Sequence, residues 1–219
     1  MSVPVVGLGA GGHAKVVIEI LQADRQYEVI GLLDPNRDIH GKSVLGIPVL
    51  GDDGHLPILK ARGVEHFFVG LGSTSDLKPR RRLYEFALSQ GMKPVSAIHP
   101  RAVISPSATL GLGATVMSVA TINAAAQLGE NVIVNTGAIV EHDCIVGNHV
   151  HIATGARLAS TVHVGDTTHI GIGAVIRQLI TIGSGVLVAA GAVVVDDVPD
   201  NVTVAGVPAR LLKRNENHD

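Results

Sequence analysis

Two groups of residues have types and spacings that suit chemistry. The first is Glu141-His142-Asp143-Cys144, followed by His149 and His151. A histidine beside a carboxylate can take a proton from an attacking nucleophile, because its unperturbed pKa of about 6.5 lies near neutral pH and the acid can orient the ring. The second is Gly7, Gly9 and Gly12, which satisfy G-x-G-x-x-G directly after an apolar run, with Asp34 at the end of the next such run. Such a turn lets a pyrophosphate approach a helix N-terminus, and the acid can hold a ribose. The motif by itself fits a nucleoside diphosphate, a dinucleotide or a purely structural turn. Only about 95 residues precede the repeat described below, room for one mononucleotide-binding half, so a nucleoside diphosphate suits it better than NAD.

The elements that must position these groups divide the chain in two. All five aromatics, Tyr27, Phe67, Phe68, Tyr84 and Phe86, fall before residue 90. In that part Val3–Leu8 and Tyr27–Leu33 read as strands, Phe67–Leu71 as a third, and Gly11–Leu21, His55–Arg62 and Leu77–Ser89 as helices. This alternation predicts a small Rossmann-like βαβ unit with a mostly parallel sheet.

Beyond it a period of six takes over. From Ile104, every sixth residue through Leu110, Val116, Ile122 and onward to Val188 and Val194 is aliphatic, without exception. Ile, Leu and Val make up roughly a third of the chain, so sixteen consecutive hits have a chance probability of ~10⁻⁸. Two positions before each lies a mostly small side chain, such as Ala102, Ala114, Ala138, Cys144 and Ala156. Gly111, Gly129, Gly147, Gly165 and Gly183 recur once per three hexads. One bulky and one small inward residue per short strand predicts a three-faced parallel β-helix of about five turns. Cys144 is then a core filler. His142 falls at a corner, and Ser160, three hexads later, stacks on the same corner one turn away. His151, His163 and His169 precede inward positions and point outward, with His151 and His169 one turn apart on one face.

Composition narrows the function. The 219 residues are 46% hydrophobic and 16% charged, which excludes a disordered chain. Lys+Arg 17 against Asp+Glu 19 gives a net charge of -2, so nothing marks a nucleic-acid partner. Gln178–Val195 is uncharged throughout but rich in glycine and β-branched residues and in register with the repeat, so it reads as coil rather than membrane span. A lone cysteine and no basic-then-apolar leader point to the cytoplasm.

The hexad pattern over residues 98–195 resembles the left-handed β-helix of the hexapeptide-repeat acyltransferases. Together with the run Gly9-Ala10-Gly11-Gly12-His13-Ala14-Lys15-Val16-Val17, the chain resembles the nucleotide-sugar N-acetyltransferases of the bacillosamine and perosamine type, which are related to the sialic acid O-acetyltransferases. The resemblance implies a homotrimer with acetyl-CoA as co-substrate in grooves between neighbouring coils, no metal, and transfer of acetyl to the amine of a nucleotide-linked 4-amino-4,6-dideoxy sugar. It implies His142 as general base, Asp143 as its partner, and Gly11, Gly12, His13 and Asp34 at the sugar nucleotide. It implies His151 and Ser160 near the thioester, and Ile172, Ala190, Gly206 and Arg210 along the cofactor.

Family members often carry Asp-Asp or Asp-Asn after the second strand and Asn-x-x-Arg after the third; here Asp34-Pro35 and Gly72-Ser73-Thr74-Ser75 stand there. The expected organisation is a Rossmann-like nucleotide-sugar-binding domain at 1–95, a β-helix acyltransferase domain at 96–197, and a tail at 198–219 closing the cofactor groove. Three other readings stay open: an O-acetyltransferase on sialic acid or another sugar, a non-catalytic sugar-nucleotide-binding coil, and an intersubunit three-histidine zinc site. Gly147 stands where the zinc reading needs a histidine.

Overall fold

The computed structural model describes residues 2–73 and 75–215. They form two compact units, one of residues 2–73 and 79–100, the other of residues 75–78 and 101–215.

In the first unit β1 (Val3–Leu8) leads through a glycine turn into α1 (Gly12–Asp24), then β2 (Tyr27–Leu33). A short hairpin, β3 (Ser43–Val44) and β4 (Ile47–Gly51), precedes α2 (Leu56–Ala61), β5 (His66–Val69), α3 (Lys78–Ser89) and β6 (Lys93–Pro94). The sheet order is β3-β4-β2-β1-β5-β6, parallel except at the β3–β4 edge. β1 and β2 coincide with their expected spans. The β3–β4 hairpin was not expected, and its strands are two and five residues long with Pro48 inside, too short to show a period.

The sheet is buried on both faces. Val5, Ile18, Leu21, Leu32 and Phe68 pack on one side, Val6, Leu8, Leu33, Phe67 and Tyr84 on the other. The glycine motif divides by role. A Cβ on Gly7 would collide with Phe68 and with Leu32 Cδ2 at 2.6 Å, and Gly9 has φ +100, where a Cβ would also meet Leu71 N at 2.9 Å and Gly70 C at 3.0 Å. Gly11 and Gly12 meet nothing within 4 Å and leave open space at the start of α1.

The second unit is a coil of two-residue strands from Val103–Ile104 to Val193–Val194. Each strand pairs in parallel with the one three hexads on, as Ile139↔Arg157 and His151↔His169 show, so three flat faces build up. The second residue of every strand is the aliphatic position of the hexad and turns inward. Together with the small series it forms one continuous core from Val116 to Val204. Cys144 lies in that core, fully buried, and its thiol donates to Ala159 O at 3.1 Å. The inward Thr168 is satisfied too, donating to Gly183 O and accepting from Val186 N.

From Leu110 onward the corners place one residue each in the left-handed region, in columns that recur once per turn. Ala125, Asp143, Thr161 and Leu179 form one column, while Gly137, Gly155, Gly173 and Gly191 belong to another. The series Gly111, Gly129, Gly147, Gly165 and Gly183 serves a different need. None of these has positive φ, and a Cβ on Gly129 would sit 2.5 Å from Asn148 Oδ1 and 2.8 Å from Gly147 C. At this corner the side chain of the next turn folds under the backbone, as Asn148 Oδ1 accepts from Glu130 N and Asp166 Oδ1 from Asn148 N. These glycines are required by close approach.

After Val194 the chain adds Val202–Ala205 parallel to Leu187–Val188, then folds Arg210–Arg214 back antiparallel on it. Residues 216–219 of the expected tail lie outside the described residues. Gln178–Val195 is coil strands and turns, and no helix among the described residues is long and apolar enough to cross a membrane.

Candidate active site

His142 and Asp143 occupy the corner between Ile139–Val140 and Ile145–Val146. The inward Val140 and Cys144 anchor the turn on either side, and the left-handed Asp143 (φ 59) swings its carboxylate back toward its neighbour. His142 Nδ1 lies 2.7 Å from Asp143 Oδ2, with both side chains more than half exposed. An ionised carboxylate only accepts, so in the neutral ring this contact places the proton on Nδ1 and leaves the Nε2 lone pair as the acceptor. That arrangement is what a general base needs. Ser160 lies one turn away in the same column, where Thr161 N donates to His142 O at 3.0 Å and Leu179 N to Ser160 O at 3.1 Å.

The other candidates lie elsewhere on the chain. His151 begins a strand on another face of the coil, while Ile172 and Ala190 occupy the corner that follows that face. Gly206 and Arg210 are in the terminal hairpin region, with Arg210 paired to Asp196 at 3.4 Å. One chain therefore joins His142 with Ser160 but not with His151, Ile172 or Ala190. Their meeting requires the corner of one copy to face the side of another.

His151 and His169 do point away from the coil axis, yet both are only 5% exposed, unlike the exposed His163. Their rings meet edge to face with centroids 4.7 Å apart, and Asn135 Nδ2 lies 3.1 Å from His151 Nε2. Burial pushes the His169 pKa down to about 4. Among the described residues no group of three or more His, Cys, Asp or Glu is placed to share a metal ion.

In the first unit the candidate binding residues gather at the carboxyl ends of β1, β2, β4 and β5. Asp34 closes the glycine turn, Oδ2 accepting from Ala10 N and Oδ1 from Asn36 N, each at 2.9 Å. Gly11 is the N-cap of α1 and has no side chain to cap the first-turn N–H groups. His13 Nε2 lies 3.4 Å from Arg80 Nη1. Since a guanidinium only donates, His13 accepts at Nε2 and carries its proton on Nδ1.

Arg80 was not anticipated. It is 1% exposed, donates to Val69 O at 2.9 Å and Leu71 O at 2.8 Å, makes no ion pair among the described residues, and is pushed down to about 9 by burial. Beside the turn opens a cavity of about 610 Å³, lined by Gly9, Asp34, Asp53 and Arg82 together with the apolar Leu71, Leu83 and Phe86. Asp53 was also missed, since nothing in its local sequence marks it. Burial first, then Asp34 and Asp52, hold its carboxyl above the usual range.

The PglD N-terminal domain family matches residues 5–86 and the bacterial transferase hexapeptide family, six repeats, matches residues 125–160. No curated protein gives a match. Among solved structures the chain is similar to PerB from Caulobacter crescentus in complex with CoA and GDP-perosamine, at 43% identity over 96% of this chain and 97% of that one, with TM-score 0.89. It is similar to the acetyltransferase domain of PglB from Neisseria gonorrhoeae in complex with acetyl coenzyme A, at 41% identity over 97% and 100% of the two chains, TM-score 0.87. WeeI from Acinetobacter baumannii matches at 25% identity over 96% and 100%, TM-score 0.83. The three-faced coil is thus the left-handed β-helix of hexapeptide-repeat transferases, and with a Rossmann-like unit before it the chain belongs to the family of sugar N-acetyltransferases that includes the perosamine enzyme.

Proposed function

We propose that the protein transfers acetyl from acetyl-CoA to the amino group of a nucleotide-linked 4-amino-4,6-dideoxy sugar, for surface polysaccharide or glycan synthesis in the cytoplasm. The observation that carries the catalytic part is the His142–Asp143 pair on an exposed corner, with Nε2 left as the acceptor. The sugar amine attacks the thioester carbonyl carbon and its proton passes to His142 Nε2. Asp143 holds Nδ1–H and offsets the imidazolium charge while it lasts. Collapse of the tetrahedral intermediate breaks the C–S bond, and the departing thiolate recovers the proton.

Gly11, Gly12, His13 and Asp34 bind the sugar nucleotide in this reading. His151, Ser160, Ile172, Ala190, Gly206 and Arg210 line the acetyl-CoA groove. The separation of His151, Ile172 and Ala190 from His142 on one chain supports a groove assembled between copies in a homotrimer. Exposed apolar side chains at corners and faces, Ile145 at 45%, Ile172 at 61% and Leu179 at 72%, give a second copy something to cover. The purified protein, incubated with acetyl-CoA and a nucleotide 4-amino-4,6-dideoxy sugar, should release free CoA thiol and one acetylated product. Sedimentation should give three times the chain mass. A monomer that nonetheless turns over would rule out the shared groove, and thiol release only with a hydroxyl acceptor would replace N- by O-acetylation.

A further inference from the structure

Arg80 is the residue of the first unit that folding alone does not explain. Its guanidinium is 1% exposed and makes no ion pair among the described residues. Nη1 shares its two N–H groups among Val69 O at 2.9 Å, Leu71 O at 2.8 Å and His13 Nε2 at 3.4 Å, while Nε has no hydrogen-bond partner among the described residues. A buried charge without a counter-ion is costly to the fold that holds it.

Its surroundings add to that cost. Arg80 lies in the first turn of α3 and His13 in the first turn of α1, so two helix ends of positive partial charge meet at the guanidinium, and neither first turn holds an acid. Glycines bring them together. A Cβ on Gly70 would sit 2.3 Å from Gly9 O and 2.9 Å from Ala14 Cβ, and one on Gly72 would sit 3.1 Å from His13 Cβ. The ionisable groups around the pair leave its charge uncompensated. Tyr84 lies beside the guanidinium on α3, Lys15 on α1 is exposed, and Arg82 lines the cavity. Asp34 is turned to Ala10 N and Asn36 N, Asp76 accepts from Lys78 N, and β5 with the residue two beyond it supplies carbonyls. Positive potential built in this way fits a ligand that brings the counter-charge. It also sets the state of His13, because an imidazole facing a guanidinium accepts at Nε2 and is kept from protonation by the like charge.

We propose that Arg80 is a positioning residue for the diphosphate of the sugar nucleotide: it supplies the fixed positive charge behind the glycine turn and holds His13 neutral with the proton on Nδ1. This rests on the reading that the first unit binds the sugar nucleotide. A permanent guanidinium makes anion binding independent of pH near neutrality, which an imidazolium, half lost at about pH 6.5, does not. Burial lowers the Arg80 pKa to about 9, which leaves the group charged at neutral pH.

The test is calorimetric titration of the full-length protein, without acetyl-CoA, with UDP-glucose, GDP-mannose and dTDP-glucose. Their diphosphate diesters keep a constant charge over the range in which histidine titrates, about pH 6 to 8. Whichever binds should change in affinity by less than about twofold across that range. In Arg80→Met its affinity should fall at least about tenfold at about pH 8 and partly recover toward about pH 6, where His13, freed from its like-charged neighbour, takes a proton. Adding His13→Gln should abolish the recovery. Equal loss at every pH in Arg80→Met would reduce Arg80 to a structural brace, and no loss would remove it from the site; either result overturns the proposal. Long-range proton–nitrogen NMR spectra of the unmodified protein test it without a variant. His13 should stay neutral at about pH 6 with Nδ1 protonated, and a ring that titrates like a free histidine, or carries its proton on Nε2, would overturn the proposal while leaving nucleotide binding intact. Failure of all three sugar nucleotides to bind would sink the sugar-nucleotide reading and this proposal with it.

Discussion

The coil fills its interior with one aliphatic and one small residue per strand, repeated from turn to turn, as in Val140 with Ala138 and Leu158 with Ala156. The sheet unit fills its interior once only, with Phe67 tilted against Tyr84 at 5.7 Å and a buried guanidinium tying two carbonyls at the end of β5. In the first arrangement each layer touches only its neighbours, so a corner can change without disturbing the core. In the second, a single residue serves several segments, and its loss is felt by all of them. The candidate base stands on the first kind of scaffold and the cavity beside Asp34 on the second. Substitutions should therefore separate activity from stability in the coil and couple them in the sheet unit.

The sharpest separation is expected at His142. Removing a positioned general base costs ~10²–10⁴-fold in rate, whereas an exposed corner substitution changes stability little. His142→Ala should lose most of kcat and keep its thermal midpoint and both ligand affinities. A variant with undiminished kcat would assign proton removal to solvent or another group. Asp143→Asn should lower kcat by about tenfold, the worth of one charge-assisted hydrogen bond, and fold normally because Asn tolerates φ 59.

The coil has one place where the separation should fail. His169 is buried with a pKa near 4 instead of 6.5. As pH falls below 6.5 the unfolded chain binds a proton there that the folded chain refuses until about pH 4. Stability is thus unaffected above that window and declines through it, by ~3 kcal/mol at pH 4. Denaturant melts of the protein and of His169→Gln across pH 4 to 7 would check this; parallel pH dependences would show that the ring does not titrate against the fold.

In the sheet unit Arg80→Met should cost about 2 kcal/mol or more, because Val69 O and Leu71 O lose their donor. It should also weaken nucleotide binding through His13. Ile152→Val in the coil core should cost only ~1 kcal/mol and leave catalysis alone. Equal costs in urea melts would erase the contrast between the two regions. A last pair of substitutions distinguishes the two kinds of corner glycine. Gly129→Ala meets Asn148 Oδ1 and should cost ~2 kcal/mol, whereas Gly155→Ala enters open space at φ +66 and should cost ~1 kcal/mol. A larger loss at Gly155 would mean that backbone strain, not crowding, governs the turns.

Much of the fold was legible before any coordinates. The period of six names every inward residue of the coil, and the corner position of His142 follows from counting two positions past Val140. β1 and β2 show as apolar runs next to a glycine turn. The β3–β4 hairpin was invisible because strands this short carry no period, and the expected helix at His55 begins one residue later because Asp53–His55 forms a separate 3-10 turn. The column of closely packed glycines was visible as a repeat, but its cause, a side chain of the next turn tucked beneath the backbone, was not.

The sequence alone determined the coil, its contents and which residues could do proton chemistry, because a repeat makes each residue's environment a function of its position in the period. Tertiary structure decided the rest. Asp53 lines a cavity only because β4 ends beside β1 and β2, and Arg80 is buried only because α3 carries it over the end of β5. His151 and His169 are outward by count yet shielded from water. Each of these depends on contacts between segments far apart in the chain, and no local pattern encodes the burial that such contacts impose.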